Sequence, residues 1–360
     1  MRKLWERCQT EHVGRSPVAT GTLLAALAAV AFGVATPIVA SAGRDVGPLS
    51  TAALLYVGAA LMALVVQLAV RSREASVRRA DAPRLVAIAV AGGAIAPSLL
   101  AWGLQRAGAT SGALLLNLEA VFTVLLARVF FHEPIGRRVA TAVACMVGGG
   151  AALTFDSSTE DSFGVFGVFA VAGATAAWAL DNTWTRPLAE RNPFQVIAVK
   201  GALGASLTAT VAIARGESLP PLVHAVVLIA CGATGYGASL YLYLLAQRRI
   251  GAGRTGSVFA LAPFIGAALA WSLGDRESGW LAVAAGVMFA IGVYLHVSER
   301  HGHRHVHELV EHEHMHRHDD GHHTHAHDPA FVGEHSHAHH HGRIDHDHEH
   351  APDIHHAHGH

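Results

Sequence analysis

Charged residues are scarce in this sequence. Asp, Glu, Lys and Arg make up 15% of the 360 residues and hydrophobic residues 51%, whereas soluble domains carry about 25% charged residues. The mean hydropathy is +0.34, although residues 298–360 alone hold 24 of the 28 His and 12 of the 27 acidic residues. The composition excludes an ordinary soluble enzyme and predicts a polytopic membrane protein for the rest of the chain.

Cysteines are few, and the N-terminal residues show no clear pattern of a cleavable leader. Cys8, Cys145 and Cys231 are too few and too scattered for a disulfide framework or a thiolate metal site. Residues 1–17 form a charged lead into an apolar run, with no clear small-residue cleavage site. We therefore expect an uncleaved anchor that follows a cytoplasmic N-terminal segment.

Ten apolar runs are long enough to cross a bilayer core of about 30 Å, which needs roughly 20 residues per helix. They are Val18–Ala40, Ser50–Val70, Leu85–Leu104, Ala109–Ala127, Val139–Phe155, Phe163–Leu180, Phe194–Ile213, Leu222–Leu245, Thr255–Leu273 and Trp280–His296. Five fall within 18–155 and five within 163–297. The predicted fold class is an all-α polytopic membrane protein with ten transmembrane helices.

The basic residues predict the direction in which these helices cross the membrane. If the N-terminus lies inside, 17 Lys and Arg residues fall in the inner segments, and only four, Arg44, Arg106, Arg215 and Arg276, in the outer loops. Loops rich in Lys and Arg stay in the cytoplasm. We expect both termini to be cytoplasmic and the protein to lie in the inner (plasma) membrane.

The two halves of the chain resemble each other when one is shifted along the sequence onto the other. The shift equals the number of residues from Arg106 to Arg249 and is called here the repeat offset. The segment RAGATSGALLLNLEAVF from Arg106 aligns with RIGAGRTGSVFALAPFI from Arg249, so Gly108 falls on Gly251 and Leu118 on Leu261. Because each half has an odd number of spans, the second copy enters the membrane from the opposite side. This predicts two inverted five-helix repeats, which are typical of secondary transporters; chance similarity between Ala/Gly/Leu-rich helices is the alternative.

Two segments resemble a known family. The run SGALLLNLEAVFTVLLARVFFHEPIGRR is similar to the fourth-helix signature of the drug/metabolite transporter superfamily, EamA type, and AWALDNTWTRPLAERNPFQVIAVKG resembles the sixth-helix and seventh-helix region of a subgroup in which His-rich tails also occur. The resemblance implies ten helices in two repeats and transport of a solute. Ala120 stands where the family often has Pro, and the matching Pro of the second copy is Pro263.

Ionisable residues within the spans are the candidate transport residues, because a charge at a helix centre costs about 2.5 to 3.5 kcal/mol on insertion scales. Glu119 lies ten residues after Ala109 and nine before Arg128, near the midplane, and is predicted to bind the solute or exchange a proton. The alternative is a structural acid satisfied by Asn117, a hydroxyl group or Lys200.

Asp181 and Lys200 form a second candidate pair, one to two turns inside the cytoplasmic face. They are predicted to meet, either as a structural ion pair between the sixth and seventh helices or as a gate or ligand contact, and Lys200 can alternatively extend towards the interface. Asn182 is a further candidate for the transport site. Lower-ranked candidates for lining a cavity are Trp102, Gln105, Tyr236 and Gln247, although Trp and Tyr near helix ends usually anchor the interface.

The C-terminal segment 298–360 has His at alternate positions over long stretches and lacks apolar periodicity, so we expect it to be disordered without metal. Imidazole suits Zn, Ni, Co and Cu. The candidate ligands are His301, His303, His305, His307, His312, His314, His316, His318, His322, His323, His325 and His327. The alternative is a solvated tail that binds metal incidentally.

These observations predict a secondary transporter that moves a small metabolite or drug-like solute by alternating access and carries a metal-binding cytoplasmic tail. Transport itself should need no cofactor, with Zn, Ni or Co bound only by the tail. Alternatives are a transporter of divalent metal, such as Ni, Co or Zn, and a membrane-anchored metal sensor or store that moves nothing. The expected partners are the solute, the lipid bilayer and divalent metal ions; neither enzymatic activity nor nucleic-acid binding is expected.

Overall fold

The chain folds into a bundle of long apolar helices followed by short strands in the tail. The computed structural model describes residues 17–69, 75–131, 135–160, 162–188, 191–218, 220–275, 279–298, 302–307, 310–316, 335–341 and 344–349. The α-helices are α1 (Pro17–Ala42), α2 (Pro48–Ala69), α3 (Ala82–Ile88), α4 (Ala96–Ala107), α5 (Ala109–Leu115), α6 (Leu118–Phe131), α7 (Arg137–Glu160), α8 (Ser162–Thr185), α9 (Pro193–Ala214), α10 (Leu222–Cys231), α11 (Ser239–Phe259), α12 (Ala262–Ser272) and α13 (Trp280–Val297). Short 3₁₀ turns lie at Arg79–Asp81 and Arg186–Leu188.

These helices make up ten spans in the described part of the chain, each apolar and long enough to cross a membrane. The spans are Val18–Ala42, Pro48–Ala69, Arg79–Ala107, Ala109–Phe130, Arg137–Phe155, Gly164–Thr185, Pro193–Ala214, Leu222–Ile250, Arg254–Ser272 and Trp280–Val297. The prediction of ten transmembrane helices is confirmed. The third and eighth spans are longer than predicted. Each continues through polar residues at the end that the distribution of basic residues predicts to be cytoplasmic.

Large apolar side chains cover the outside of the bundle. Leu68, Ile213, Leu222 and Trp280 are each more than three quarters exposed. In a soluble protein, exposed apolar surface of this extent marks an interaction site. On a bundle of spanning helices it is the lipid-facing surface.

Two π-helical segments interrupt the bundle at equivalent places. Ala89–Ile95 joins α3 to α4, and Gly232–Ala238 joins α10 to α11, so the two segments are separated by the repeat offset. The second segment lies close to the second span: a Cβ atom on Gly232 would overlap the Leu55 carbonyl oxygen. Only glycine permits this approach.

A helix break also recurs at the repeat offset, to within one residue. In the first repeat α5 ends at Leu115 and α6 begins at Leu118; in the second, α11 ends at Phe259 and α12 begins at Ala262. Around the first break the amides of Leu116, Asn117, Glu119 and Ala120 all bond to the carbonyl three residues earlier. The Asn117 side chain also donates to the Leu114 carbonyl at 2.9 Å, which competes with the helical pattern. The break therefore forms with Ala120 in place of the family's Pro.

The packing of the spans is symmetric under exchange of the two repeats. The second span packs on the seventh, the fourth on the ninth, and the fifth on the tenth. The first span packs on the eighth and the ninth, just as the sixth packs on the third and the fourth. With five spans in each copy, this pattern is that of two inverted five-helix repeats related by a pseudo-two-fold axis.

In the part of the tail that the structure describes, the backbone forms four short strands: β1 (Gly302–His307), β2 (Val310–His316), β3 (His335–His341) and β4 (Ile344–Glu349). They form two antiparallel pairs, β1 with β4 and β2 with β3. The alternation of His with other residues in these segments has a period of two, which is the period of a strand.

Candidate functional site

Four of the five predicted transport residues form two contacts that link the fourth, sixth and seventh spans. Asn182 Nδ2 donates a hydrogen bond to Glu119 Oε1 at 2.6 Å. Lys200 Nζ donates to Asp181 Oδ2 at 2.5 Å in an ion pair. Because Asp181 and Asn182 are consecutive residues of α8, the two contacts meet on one turn of the sixth span.

Glu119 lies in the first turn of α6, directly after the helix break. The dipole at a helix N-terminus favours a negative charge, so the carboxylate lies at the end of α6 where the dipole stabilises it. Glu119 is half-buried. At the equivalent position of the second repeat stands Ala262, so the acid breaks the symmetry of the two copies.

Asn117 lies in the break itself and is 4% exposed. Its Oδ1 atom is buried and accepts no hydrogen bond from any residue that the structure describes. An unsatisfied buried acceptor costs roughly 1 to 3 kcal/mol. Asn117 Oδ1 is therefore a buried acceptor with no partner among the described residues, two residues before Glu119 in the sequence.

Asp181 and Lys200 are both buried, at 3% and 5% exposure. Thr185 Oγ1 donates a second, longer hydrogen bond of 3.3 Å to Asp181 Oδ1. The carboxylate also lies against Gly92 in the first π-helical segment, where a Cβ atom would overlap Asp181 Oδ2. A side chain at position 92 would prevent this placement of Asp181.

A cluster of aromatic rings lies beside these polar contacts, and sequence reasoning missed most of it. Phe32 contacts the rings of Trp178, Tyr236 and Phe259 at centroid distances of 5.6 to 5.9 Å. Tyr56 contacts Tyr236 at 5.8 Å, and Tyr243 contacts Phe259 at 5.1 Å. Of these only Tyr236 was a candidate, because the rings come from five different spans and share no local pattern.

The cluster is tied to the π-helical segment of the third span. The Tyr56 hydroxyl group and the Trp178 indole, at 3.3 Å, both donate to the Gly92 carbonyl oxygen. π-helical segments often mark functional positions. Trp178 precedes Asp181 by three residues, so this carbonyl links the aromatic cluster to the ion pair.

The end of the bundle that holds most of the basic residues, here called the basic face, is closed by contacts between loops. Asp81, which is buried, accepts hydrogen bonds from Arg191 Nε at 3.0 Å and from the Arg78 amide at 2.9 Å. The Asn192 amide donates to the Ala75 carbonyl at 2.8 Å. The loop between the second and third spans is thereby fastened to the loop between the sixth and seventh.

Apolar packing also closes the basic face, next to the ion pair of Asp81 and Arg191. Leu85, Ile88, Leu188 and Val196 form a small buried cluster of their own. Arg248 Nη2, at the end of the eighth span, donates to the Arg191 carbonyl at 3.0 Å. The basic face is therefore closed over Asp181 and Lys200.

The opposite face is closed by carboxylates that cap helix N-termini. Glu217 accepts hydrogen bonds from the Leu49 and Ser50 amides at 3.3 and 2.8 Å, and Asp275 accepts from the Thr110 amide at 2.7 Å. Gln105 donates to two carbonyls of the loop between the first and second spans, at 2.6 and 2.9 Å.

Three of the lower-ranked candidates for lining a cavity form contacts within the bundle. Gln105 and Trp102 do so at this opposite face, and Gln247 does so elsewhere. Gln105 holds the loop after α1, as described above, and Trp102 lies under the Arg106 guanidinium group at 3.8 Å from the ring centroid. Gln247 forms a side-chain hydrogen bond with Tyr243. These contacts give each residue a structural role.

The predicted metal ligands all belong to residues 298–360 of the sequence. Among the residues whose side chains the structure describes, no group of three or more His, Cys, Asp or Glu is placed to hold a metal ion. His301, His318, His322, His323, His325 and His327 lie outside the described residues. For the other candidates the backbone lies in β1 and β2, and the metal-binding prediction stays untested.

A model of the EamA-like transporter family matches the chain twice, at residues 19–155 and 165–298. The chain belongs to the EamA-like transporter family. The two matches coincide with the two halves that the packing symmetry relates, so this EamA-like protein carries one copy of the family's unit in each repeat.

A curated relative and a solved structure are similar to this EamA-like protein at low sequence identity. A protein of Methanothermobacter thermautotrophicus described as an uncharacterized transporter is 26% identical over 227 residues, which cover 62% of this chain and 66% of the relative. The aligned chain thus spans just under two thirds of that relative's length. A solved crystal structure, described only as that of a protein, has a TM-score of 0.56 at 17% identity and covers 76% of this chain and 96% of the other. That likeness shows the fold alone.

Proposed function

We propose that this EamA-like protein is a secondary transporter that moves a small metabolite or drug-like solute across the inner membrane by alternating access. The observation that carries the proposal is Glu119: a half-buried carboxylate at a helix break near the membrane centre, hydrogen-bonded to Asn182 beside the buried ion pair of Asp181 and Lys200. Intramembrane ionisable groups of this kind mark solute and proton pathways.

The arrangement of acceptors favours a solute that carries a hydrogen-bond donor. Asn182 uses one oxygen of Glu119, and Asn117 Oδ1 is an unused acceptor two residues away. An ammonium or hydroxyl group of the solute would bond to the second oxygen of Glu119. Alternatively Glu119 exchanges a proton as access changes sides. In either role the residue needs its carboxyl group.

The contacts at the two faces support alternating access. Gln105 and Arg248 occupy equivalent positions in the two repeats. Gln105 donates to the loop between the first and second spans, and Arg248 to the corresponding loop between the sixth and seventh. Inverted repeats whose faces are closed by equivalent contacts can exchange roles, so that breaking one set opens one side while the other set stays formed.

The proposal includes the orientation of the protein in the membrane and the location of the tail. The excess of Lys and Arg on the basic face supports cytoplasmic termini, which places residues 298–360 in the cytoplasm. There the tail's histidines bind divalent metal without being part of the transport path.

The experiment is an uptake screen in vesicles reconstituted with the full chain or with a chain ending at Val297. The probes are the small metabolites of a water-soluble cell extract, measured by mass spectrometry, and Ni²⁺, Co²⁺ and Zn²⁺ in separate arms. We expect uptake of a metabolite by both chains above that of protein-free vesicles. Uptake of metal alone, lost without the tail, would support the metal transporter instead. If neither probe enters, the protein is a sensor or store and the proposal is wrong.

A further inference from the structure

The backbone pairing in the tail brings histidines opposite each other. In the outer pair of strands His303 is opposite His348 and His305 is opposite His346. In the inner pair, three His residues of β2 are opposite three of β3: His312 with His339, His314 with His337 and His316 with His335. Five opposed His pairs therefore lie within four short strands.

The register also gathers these pairs on one face of each sheet. Successive residues of a strand alternate between the two faces, so His303, His305, His346 and His348 share a face of the β1–β4 sheet. Directly opposed residues have Cβ atoms about 4.5 to 5.5 Å apart, and residues two apart along a strand are separated by roughly 6.6 Å. Four histidines thus occupy the corners of one small rectangle.

The other face of the outer sheet supports the same register. Arg304 is opposite Asp347, and opposite charges in directly opposed positions favour antiparallel pairing. Isolated two-stranded sheets are marginally stable in water, and closing the long segment between β1 and β4 costs additional entropy. A ligand that binds only the paired strands would stabilise them by mass action.

We propose that His303, His305, His346 and His348 form a site for one divalent ion of the imidazole-binding class, such as Zn²⁺ or Ni²⁺, and that the ion fastens β1 to β4. Imidazole nitrogens bind Zn²⁺ at about 2.0 to 2.1 Å, and structural zinc sites take four ligands. The inner sheet repeats the arrangement with three pairs. This inference deepens the metal-binding role proposed for the tail, and it does not depend on transport.

A double-mutant cycle on the full chain in detergent tests the shared ion. Zn²⁺ is titrated by calorimetry into the wild type, His303→Ala, His348→Ala and the double variant. Changes to outer-shell partners of a metal already cost about 10- to 100-fold in affinity, so loss of a ligand should remove one tight ion. If the two residues share that ion, the double variant loses no more than each single variant does. His355→Ala and His356→Ala, in the same tail but outside the four strands, are the matched controls and should leave this ion in place.

A second measurement tests the register. Arg304→Cys and Asp347→Cys, in a chain whose native cysteines are replaced by Ser, should be joined faster by a short bis-maleimide, which alkylates both thiols without an oxidant, when Zn²⁺ is added, whereas Arg304→Cys with Asp353→Cys should not respond. The inference is overturned if the losses at His303 and His348 add, if the controls lose metal equally, or if Zn²⁺ leaves cross-linking unchanged. None of these outcomes bears on solute uptake, so failure here is distinguishable from failure of the transport proposal.

Discussion

Removal of the positive charge of Lys200 should destabilise the protein strongly. The side chains of Lys200 and Asp181 are 6% and 5% exposed and their charged atoms are 2.5 Å apart. In Lys200→Met the Asp181 carboxylate would keep only the 3.3 Å hydrogen bond from Thr185. Breaking a buried pair by removing one partner costs about 3 to 5 kcal/mol, because an uncompensated charge stays buried. At about 1.4 kcal/mol per factor of ten, this corresponds to roughly two to three and a half orders of magnitude in the unfolding equilibrium.

The matched control is the double variant Asp181→Asn with Lys200→Met, in which neither charge remains. Replacing a whole buried pair by neutral groups is often close to neutral, so the double variant should recover most of the lost stability. The measurement is unfolding in mixed micelles, followed by tryptophan fluorescence. The description of this pair as buried and mutually compensating would be refuted by either of two results. One is that Lys200→Met and Asp181→Asn are each as stable as the wild type. The other is that the double variant loses as much stability as the two single variants lose together.

Three further predictions concern the Asp81 contacts that close the basic face, the helix packing and the tail. Asp81→Asn removes a charged hydrogen bond worth about 1.5 to 3 kcal/mol and should raise labelling of Thr185→Cys by a membrane-impermeant thiol reagent about tenfold; unchanged labelling would contradict a gate at the basic face. Gly58→Ala should cost about 1 to 3 kcal/mol, because its Cβ would overlap the Ile229 carbonyl oxygen, whereas Gly286→Ala, with its nearest neighbour at 3.8 Å, should keep the wild-type melting temperature. A chain ending at Val297 should insert and elute as the full chain does while losing divalent metal binding, measured by size exclusion and calorimetry.

Much of the fold was predictable because it depends on composition and length. The number of spans follows from hydropathy. The repeat offset found between Arg106 and Arg249 also relates the two π-helical segments and, to within one residue, the two helix breaks. The π-helical geometry itself was not predictable. It depends on close contacts such as that between Gly232 and the second span. The sequence around Gly232 has no pattern that predicts such a contact.

The helix break before Glu119 forms without the Pro that the family often has at this position. With Ala120 in place of Pro, the sequence carried no residue that forces a break. The structure breaks the helix nevertheless, through the Asn117 side chain and a run of tightened backbone bonds. Asn in a membrane helix was a visible signal, since its amide competes with the backbone.

The sequence predicted which residues form the candidate site, but it did not predict all of the contacts between them. Asp181 and Lys200 meet as their depth in the membrane indicated, but the partner of Glu119 is Asn182, whereas the proposed structural partners were Asn117, a hydroxyl group and Lys200. Helices that are apolar on all sides carry no amphipathic pattern, so the sequence did not reveal which side of the sixth span faces the fourth. For the same reason the aromatic cluster, whose rings come from different spans, could not be assembled from the sequence.

The central claim is that Glu119 performs transport, and solute flux in Glu119→Gln tests it most directly. Glutamine keeps the size of the side chain and can still accept the Asn182 hydrogen bond, and a neutral amide is cheaper at the midplane than a carboxylate, so insertion and stability should not suffer. The control is Asp45→Asn, the same chemical change at an exposed loop residue.

Uptake of the metabolite identified in the vesicle screen is measured per folded molecule, with thermal stability recorded in the same detergent preparation. We predict that Glu119→Gln abolishes or uncouples flux while its melting temperature stays at or above that of the wild type, and that Asp45→Asn transports normally. Wild-type flux per folded molecule in Glu119→Gln would contradict the assignment and leave Glu119 a structural residue.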